Sequence, residues 1–372
     1  MKFKIREQPF YLQSTIVLFG VILIVYIFSV LADIMIPLAF ATFLSILLNP
    51  LCNWLQRRGV KRVLSIVIAL VLAVSLVIAL FYFLSSQIMQ FKDALPMLKQ
   101  KALELFGEAK HYLSTRFGIA EKKQDQAVID ALKGTRDMVG ETLFGVLGVL
   151  GIVLLLPVYM FFILFYKSLI LNFLFEVFSE ENADRVGEVI AETKSAIQSY
   201  IVGLLIETLI VGVMNSVALI LLGVKYGILI GTIGALLNLI PYLGGIVAIA
   251  LPVIVVTVTK DGYGTQLGVI AAYLFIQFID NNVLVPKIVS SKVQINALMS
   301  IIIVLLGNQL WGLPGMFLAI PFFAVLKIIF DRIDALKPWG RLLGDNIPTR
   351  HMGERWRRKR RSKLILTDPV EN

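Results

Sequence analysis

Charge is what this sequence has least of. Asp, Glu, Lys and Arg make up 16% of its 372 residues, and hydrophobic residues make up 58%. A soluble chain carries about 25% charged and 45–50% apolar residues. The mean hydropathy of +0.84 leaves too little polar surface to coat a water-soluble globule, so an integral membrane protein is expected. Cysteine is nearly absent: Cys52 stands alone, which excludes an intramolecular disulfide. Two histidines are too few for a histidine-based metal centre. No G-x-x-x-x-G-K-[ST] loop, H-E-x-x-H or G-x-S-x-G motif occurs. ATP-driven pumping and the common hydrolase mechanisms therefore lack machinery, and neither a cofactor nor an enzymatic role is expected.

The apolar residues fall into long runs. Charge-free stretches cover residues 8–32, 34–56, 63–91, 142–166, 208–224, 226–259, 262–279 and 293–326. About 20 helical residues cross a 30 Å hydrocarbon core, so about eight membrane segments are expected in an all-α fold. The first run follows Lys2, Lys4 and Arg6 but exceeds the apolar core of a signal peptide, and reads as a retained helix.

The net charge of +10 concentrates beside the apolar runs and in the tail. The basic N-terminus, the connection Arg57-Arg58-Gly59-Val60-Lys61-Arg62 and the tail from Arg355 to Lys363 are cytoplasmic by the positive-inside rule. This places a multi-pass chain in the inner (plasma) membrane with both termini cytoplasmic. The tail suits anionic lipid headgroups better than nucleic acid, and no nucleic-acid partner is expected.

Four regions follow: membrane helices in 1–86, an extracytoplasmic amphipathic helical segment in 87–141, a transport core in 142–333 and a basic tail in 334–372. In the second region Leu98, Ala102, Leu105, Ala109 and Leu113 repeat at helical spacing and call for an apolar partner, in the same chain or in a neighbouring subunit. Within the core, residues 179–199 read as a second amphipathic helix on the cytoplasmic side.

Two runs are too long for single spans. Residues 226–259 and 293–326 would each extend about 51 Å as straight helices. Each is interrupted near its middle, by Asn238-Leu-Ile-Pro241-Tyr242-Leu-Gly244-Gly245 and by Trp311-Gly-Leu-Pro314-Gly315. Each is then either a long broken span or a re-entrant hairpin. The charges favour hairpins, because Lys287 and Lys292 then return to the cytoplasmic side. Paired Gly/Pro-interrupted segments mark binding sites in transporters; a simple kink is the alternative for Pro241, Gly244, Gly245, Pro314 and Gly315.

Polar groups inside the apolar runs are few. Glu207 and Asp280 are carboxylates in otherwise apolar surroundings; a charge at membrane depth costs about 2.5–3.5 kcal/mol and usually faces a cavity or a partner. Both are candidates for a proton or cation site, against the alternative of structural hydrogen bonding. Asn215, Asn238, Gln277 and Asn282 supply neutral donors and acceptors for a small polar solute, or act as interhelical glue. Trp311 and Tyr242 either line the pathway or anchor at an interface.

Four stretches in order carry a resemblance: Tyr200-Ile-Val-Gly203, Asn238-Leu-Ile-Pro-Tyr-Leu-Gly-Gly245, Gln277-Phe-Ile-Asp-Asn-Asn-Val-Leu-Val-Pro-Lys287 and Trp311-Gly-Leu-Pro-Gly-Met-Phe-Leu-Ala-Ile-Pro321. From about Leu12 to Ile333 the chain resembles the AI-2E (autoinducer-2 exporter) family. Val202 and Leu204 stand where many members carry Arg and Gln, so an Arg-dependent contact is not carried over. The resemblance implies a homo-oligomeric secondary transporter exporting a small polar molecule such as autoinducer-2. A Na⁺(Li⁺)/H⁺ antiporter on the same scaffold is the alternative, ahead of a pore or a non-transporting membrane scaffold.

Overall fold

The computed structural model describes residues 9–92, 104, 107, 155–178, 183–239, 243–260, 262–289 and 295–345. Most of the 87–141 segment and the tail beyond Asp345 lie outside the described residues, so the leucine stripe and the polybasic tail have no structural counterpart to compare. Among the described residues every regular element is a helix.

In chain order these are α1 (Phe10–Val30), α2 (Ala32–Arg57) and α3 (Arg62–Lys92), then α4 (Leu155–Phe165) and α5 (Lys167–Val177), bent by 62° at their junction. There follow α6 (Ala183–Leu221), α7 (Gly227–Asn238), α8 (Leu243–Thr259) and α9 (Gly264–Ile279), which continues as a wider π-helical segment over Asp280–Val289. The chain closes with α10 (Ala297–Arg332) and α11 (Lys337–Leu343). By length and composition alone five helices could cross a membrane, α10 among them, and six if the bent pair counts as one. Their apolar side chains face outward: Leu76, Ile78 and Phe81 of α3 are exposed, as a lipid-facing surface requires and a water-facing one forbids.

Both over-long runs are hairpins. The first consists of α7 and α8, at 12 and 17 residues, the first arm well short of the roughly 20 needed to cross and the second at the lower limit. The arms pack face to face: a Cβ placed on Gly234 would stand 3.4 Å from the Ala248 methyl. The second is α10 itself. Its backbone leaves helical geometry at Trp311 (φ −137°) and Gly312 (φ +62°, ψ −141°), the latter a conformation that favours glycine. Beyond the turn the arms run back along each other. Gly307 and Gly315 meet backbone to backbone, so that a methyl on either would drive into the other's carbonyl oxygen, and Ile303 and Ala319 share one buried cluster. A straight helix would hold those last two about 24 Å apart. One membrane-length helix, α9 with its π extension, joins the bases of the two hairpins, which puts those bases on opposite faces of the bundle.

The first hairpin is seated on α6 by small residues. Gly227, Gly231 and Ala235 recur every fourth position along α7 and meet Leu219, Ser216 and Gly212 of α6 in antiparallel register. This small-residue spacing lets two backbones approach closely. A Cβ on Gly231 would lie 2.6 Å from both the amide nitrogen and the hydroxyl of Ser216. At the base of the same hairpin Lys260 Nζ donates to the Leu222 carbonyl at 2.8 Å, covering one of the acceptors left open at a helix C-terminus.

Helix α6 is the strut of the fold. Residues 183–221 form one helix of 39 residues, so the amphipathic stretch read in 179–199 runs on into the membrane run without a break. Its face carrying Ile197, Tyr200 and Ile201 packs against Ala324 of the second hairpin, and Gln198 donates to the Ile46 carbonyl of α2 at 2.7 Å. Near its start Glu188 and Glu192, one helical turn apart, both bind the guanidinium of Arg332 at the end of α10. A separate cluster of Ala41, Cys52, Ile66, Ala69, Met160 and Leu164 joins α2, α3 and α4.

Candidate functional site

The antiparallel register of α7 against α6 pairs residue 235 with 212 and 231 with 216. Continued to the hairpin tip, it sets Asn238 level with Leu209, within one helical turn of Glu207. Asn238 lies at the end of α7, where the chain leaves the helix. Its amide Nδ2 donates to Asp280 Oδ2 at 2.8 Å.

Asp280 is 2% exposed and sits where α9 gives way to the π-helical segment. Gln277, one turn earlier, offers a longer bond of 3.4 Å from Nε2 to the same oxygen. Gln277 in turn is roofed by the second arm of the hairpin, since a Cβ on Gly245 would come within 3.1 Å of Gln277 Oε1. One arm of the hairpin thus bonds the carboxylate directly, and the other packs on the Gln277 amide beside it.

Beside it stands a second. The Glu207 side chain, 6% exposed, lies against that of Asp280 within hydrogen-bonding reach. The other oxygen of Asp280, Oδ1, has no donor among the described residues. Two carboxylates are both acceptors, so a hydrogen bond between them requires a proton on one.

Further polar groups lead away from the pair. On α9, Gln266, Tyr273 and Asp280 recur at intervals of seven and are all buried, which aligns them along one helical face. On α6, Asn215 lies two turns from Glu207 and is 2% exposed. Asn215 Nδ2 and the Tyr273 hydroxyl converge on Gly234, at 3.5 and 3.7 Å from the place a Cβ would occupy. Gln266 Oε1, Tyr273 Oη and Asn215 Oδ1 all lack hydrogen-bond partners among the described residues. Buried polar atoms are almost always satisfied by protein or by ordered water. A row of unsatisfied ones from the start of α9 to the carboxyl pair is a lining suited to water or to a polar solute.

Of the residues singled out in the sequence, the structure therefore brings together Glu207, Asn238, Gly245, Gln277 and Asp280, with Asn215 close by. Asn282 turns away: it is exposed and its Nδ2 donates to the Phe278 carbonyl of its own helix at 2.8 Å. Trp311, Pro314 and Gly315 belong to the second hairpin, where Trp311 Nε1 donates to the Phe28 carbonyl of α1 at 2.9 Å. Gly244 lies in the first turn of α8, while Pro241 and Tyr242 fall outside the described residues. Gln266 and Tyr273 are not among the residues singled out in the sequence. Their heptad spacing to Asp280 is the signal that finds them.

The comparisons with known proteins agree on the class. A family model described as AI-2E family transporter matches residues 15–335. The "AI-2 transport protein TqsA" of Escherichia coli (strain K12) is 26% identical over 305 residues, covering 81% of this chain and 86% of its own length. YrrI of Bacillus subtilis (strain 168), which bears the name "Putative transport protein YrrI", is 25% identical over 307 residues, covering 81% and 86%. The Haemophilus influenzae protein named "Putative transport protein" is 27% identical over 338 residues, covering 88% and 94%. Matched over most of its length, with its apolar helices and two hairpins in place, the chain belongs to the AI-2E family of membrane transporters.

Proposed function

We propose that the protein is a secondary exporter of a small polar solute such as autoinducer-2, coupled to protons through the Glu207–Asp280 pair. The observation that carries this reading is the contact of two carboxyls from separate spans, held by the tip of a re-entrant hairpin. Like charges at hydrogen-bond distance in apolar surroundings repel strongly, and one shared proton relieves that repulsion. Losing the proton leaves a net charge whose favourable partners are the Asn238 and Gln277 amides. Proton occupancy is thereby linked to how firmly the hairpin tip is held. A solute with several hydroxyl groups can take over those amide contacts and bond to the unpaired acceptors along α6 and α9.

In this reading the first hairpin enters from the extracytoplasmic side and the second from the cytoplasmic side. Both termini are cytoplasmic in the plasma membrane, and the chain works as a homo-oligomer. The basic turn between α2 and α3, with Arg57, Arg58, Lys61 and Arg62, supports this orientation.

The test is flux in proteoliposomes containing the full chain, a trapped pH dye and autoinducer-2. Solute movement accelerated by a proton gradient, with a matching change in internal pH, is the expected result. Proton movement that answers a sodium or lithium pulse and ignores autoinducer-2 would replace export with antiport. Single-channel conductance with no coupling would replace both with a pore.

A further inference from the structure

A second polar region lies away from the carboxyl pair, where α2, α3 and the α4–α5 bend meet. It is a cavity of about 160 Å³. Helix α2 contributes Asn49, Asn53 and Gln56, α3 contributes Arg62, and the start of α5 contributes Lys167 and Ser168. Every polar side chain in that set can donate a hydrogen bond, and two carry positive charge.

The charges around this cavity are of one sign. The charged side chains that act on Lys167 are Lys194 of α6 and Arg62, both basic. Lys167 Nζ has a neutral partner, donating to Asn49 Oδ1 at 3.0 Å. Arg62 Nη2 donates to the carbonyls of Phe165 at 2.5 Å and Leu164 at 3.4 Å. No ion pair to Arg62, Lys167 or Lys194 occurs among the described residues. Three cations drawn together without a counter-charge are unfavourable until an anion joins them.

The backbone adds to the same field. The bend interrupts the helix at Tyr166, and α5 begins without a side-chain cap. Its first-turn amides are open donors at the positive end of a helix dipole, and Lys167 and Ser168 of that turn line the cavity.

Its depth is marked by its neighbours. Trp54 is exposed and carries the Arg58 guanidinium 4.2 Å from its ring centroid. Tryptophan and arginine side by side at a helix end belong at the level of lipid headgroups.

From these four observations we infer that the cavity between α2, α3 and α5 binds a phosphate-type oxyanion, supplied by the headgroup of an anionic phospholipid. The inference stands apart from the transport reading, because no residue of the carboxyl pair or of the first hairpin takes part.

The test uses the purified full chain in neutral detergent and measures binding at equilibrium. The probes are inorganic phosphate, dihexanoyl phosphatidylglycerol and dihexanoyl phosphatidylcholine. Saturable binding of the phosphatidylglycerol at least tenfold tighter than the phosphatidylcholine is expected. Lys167→Gln and Lys194→Gln should each weaken it several-fold, and Lys167→Arg should retain it. Inorganic phosphate binding as tightly as the phosphatidylglycerol would support the oxyanion site and overturn the lipid as its source. Absence of saturable binding by either anionic probe overturns the site. So does binding unchanged in Lys167→Gln when that variant elutes and melts like the parent chain.

Discussion

The amide of Asn238 reaches across 42 positions of sequence to bond the carboxylate of Asp280 at 2.8 Å. One residue ends an arm of a hairpin too short to cross a membrane; the other marks the point where a spanning helix loosens. The bond ties the end of that arm to a titratable group.

Asp280→Asn keeps the shape of that group and removes its charge. In proteoliposomes, flux should fall tenfold or more and lose its dependence on pH, with assembly and melting unchanged. Normal pH-dependent flux in this variant would remove Asp280 from coupling and leave Glu207 as the intramembrane carboxylate to examine.

Gly231→Ala tests the seating of the first hairpin. The added methyl meets the Ser216 backbone nitrogen and hydroxyl at 2.6 Å, and backbone cannot rotate aside. Overpacking of this kind costs about 1–3 kcal/mol, so thermal unfolding in detergent should come earlier. Gly264→Ala, with nothing within 4 Å, should melt like the parent chain. Equal melting of the two variants would mean that α6 and α7 lie further apart.

Topology is tested by single cysteines in a Cys52→Ser background. Tyr263 and Asp334 are exposed beyond the bases of the first and second hairpins. A membrane-impermeant maleimide applied to intact cells should label Tyr263→Cys, whereas Asp334→Cys should react after the cells are opened. Labelling of both from one side would contradict hairpins that enter from opposite faces.

Much of this architecture is legible in the sequence because membrane helices are written in composition. Both interruptions, at Asn238–Gly245 and Trp311–Gly315, stand out as glycines, prolines and amides in apolar runs. The two carboxylates stand out for the same reason. What the sequence does not display is their contact. Glu207 and Asp280 lie 73 residues apart, and their meeting depends on the axial register of α6, α7 and α9. That register is set by Gly227, Gly231 and Ala235, residues so common in membrane helices that their spacing attracts little notice. The continuity of α6 was also hidden: its first turns are amphipathic and its last are apolar, and a change of face looks like a boundary although no breaker interrupts the helix.

The glycine and alanine seam between α6 and α7 has a mechanical consequence. Packed helices usually interlock, each side chain seated in a socket of its neighbour, and axial displacement must lift every one out. Gly227, Gly231 and Ala235 of α7 face Leu219, Ser216 and Gly212 of α6, so Leu219 is the one large tooth among these pairs. Contact there is close and the sockets at Gly231 and Ala235 are shallow, so separating the helices sideways gives up the whole contact. The hairpin that carries Asn238 is held along this seam largely by backbone proximity, so any bulk added there acts on the height of its tip.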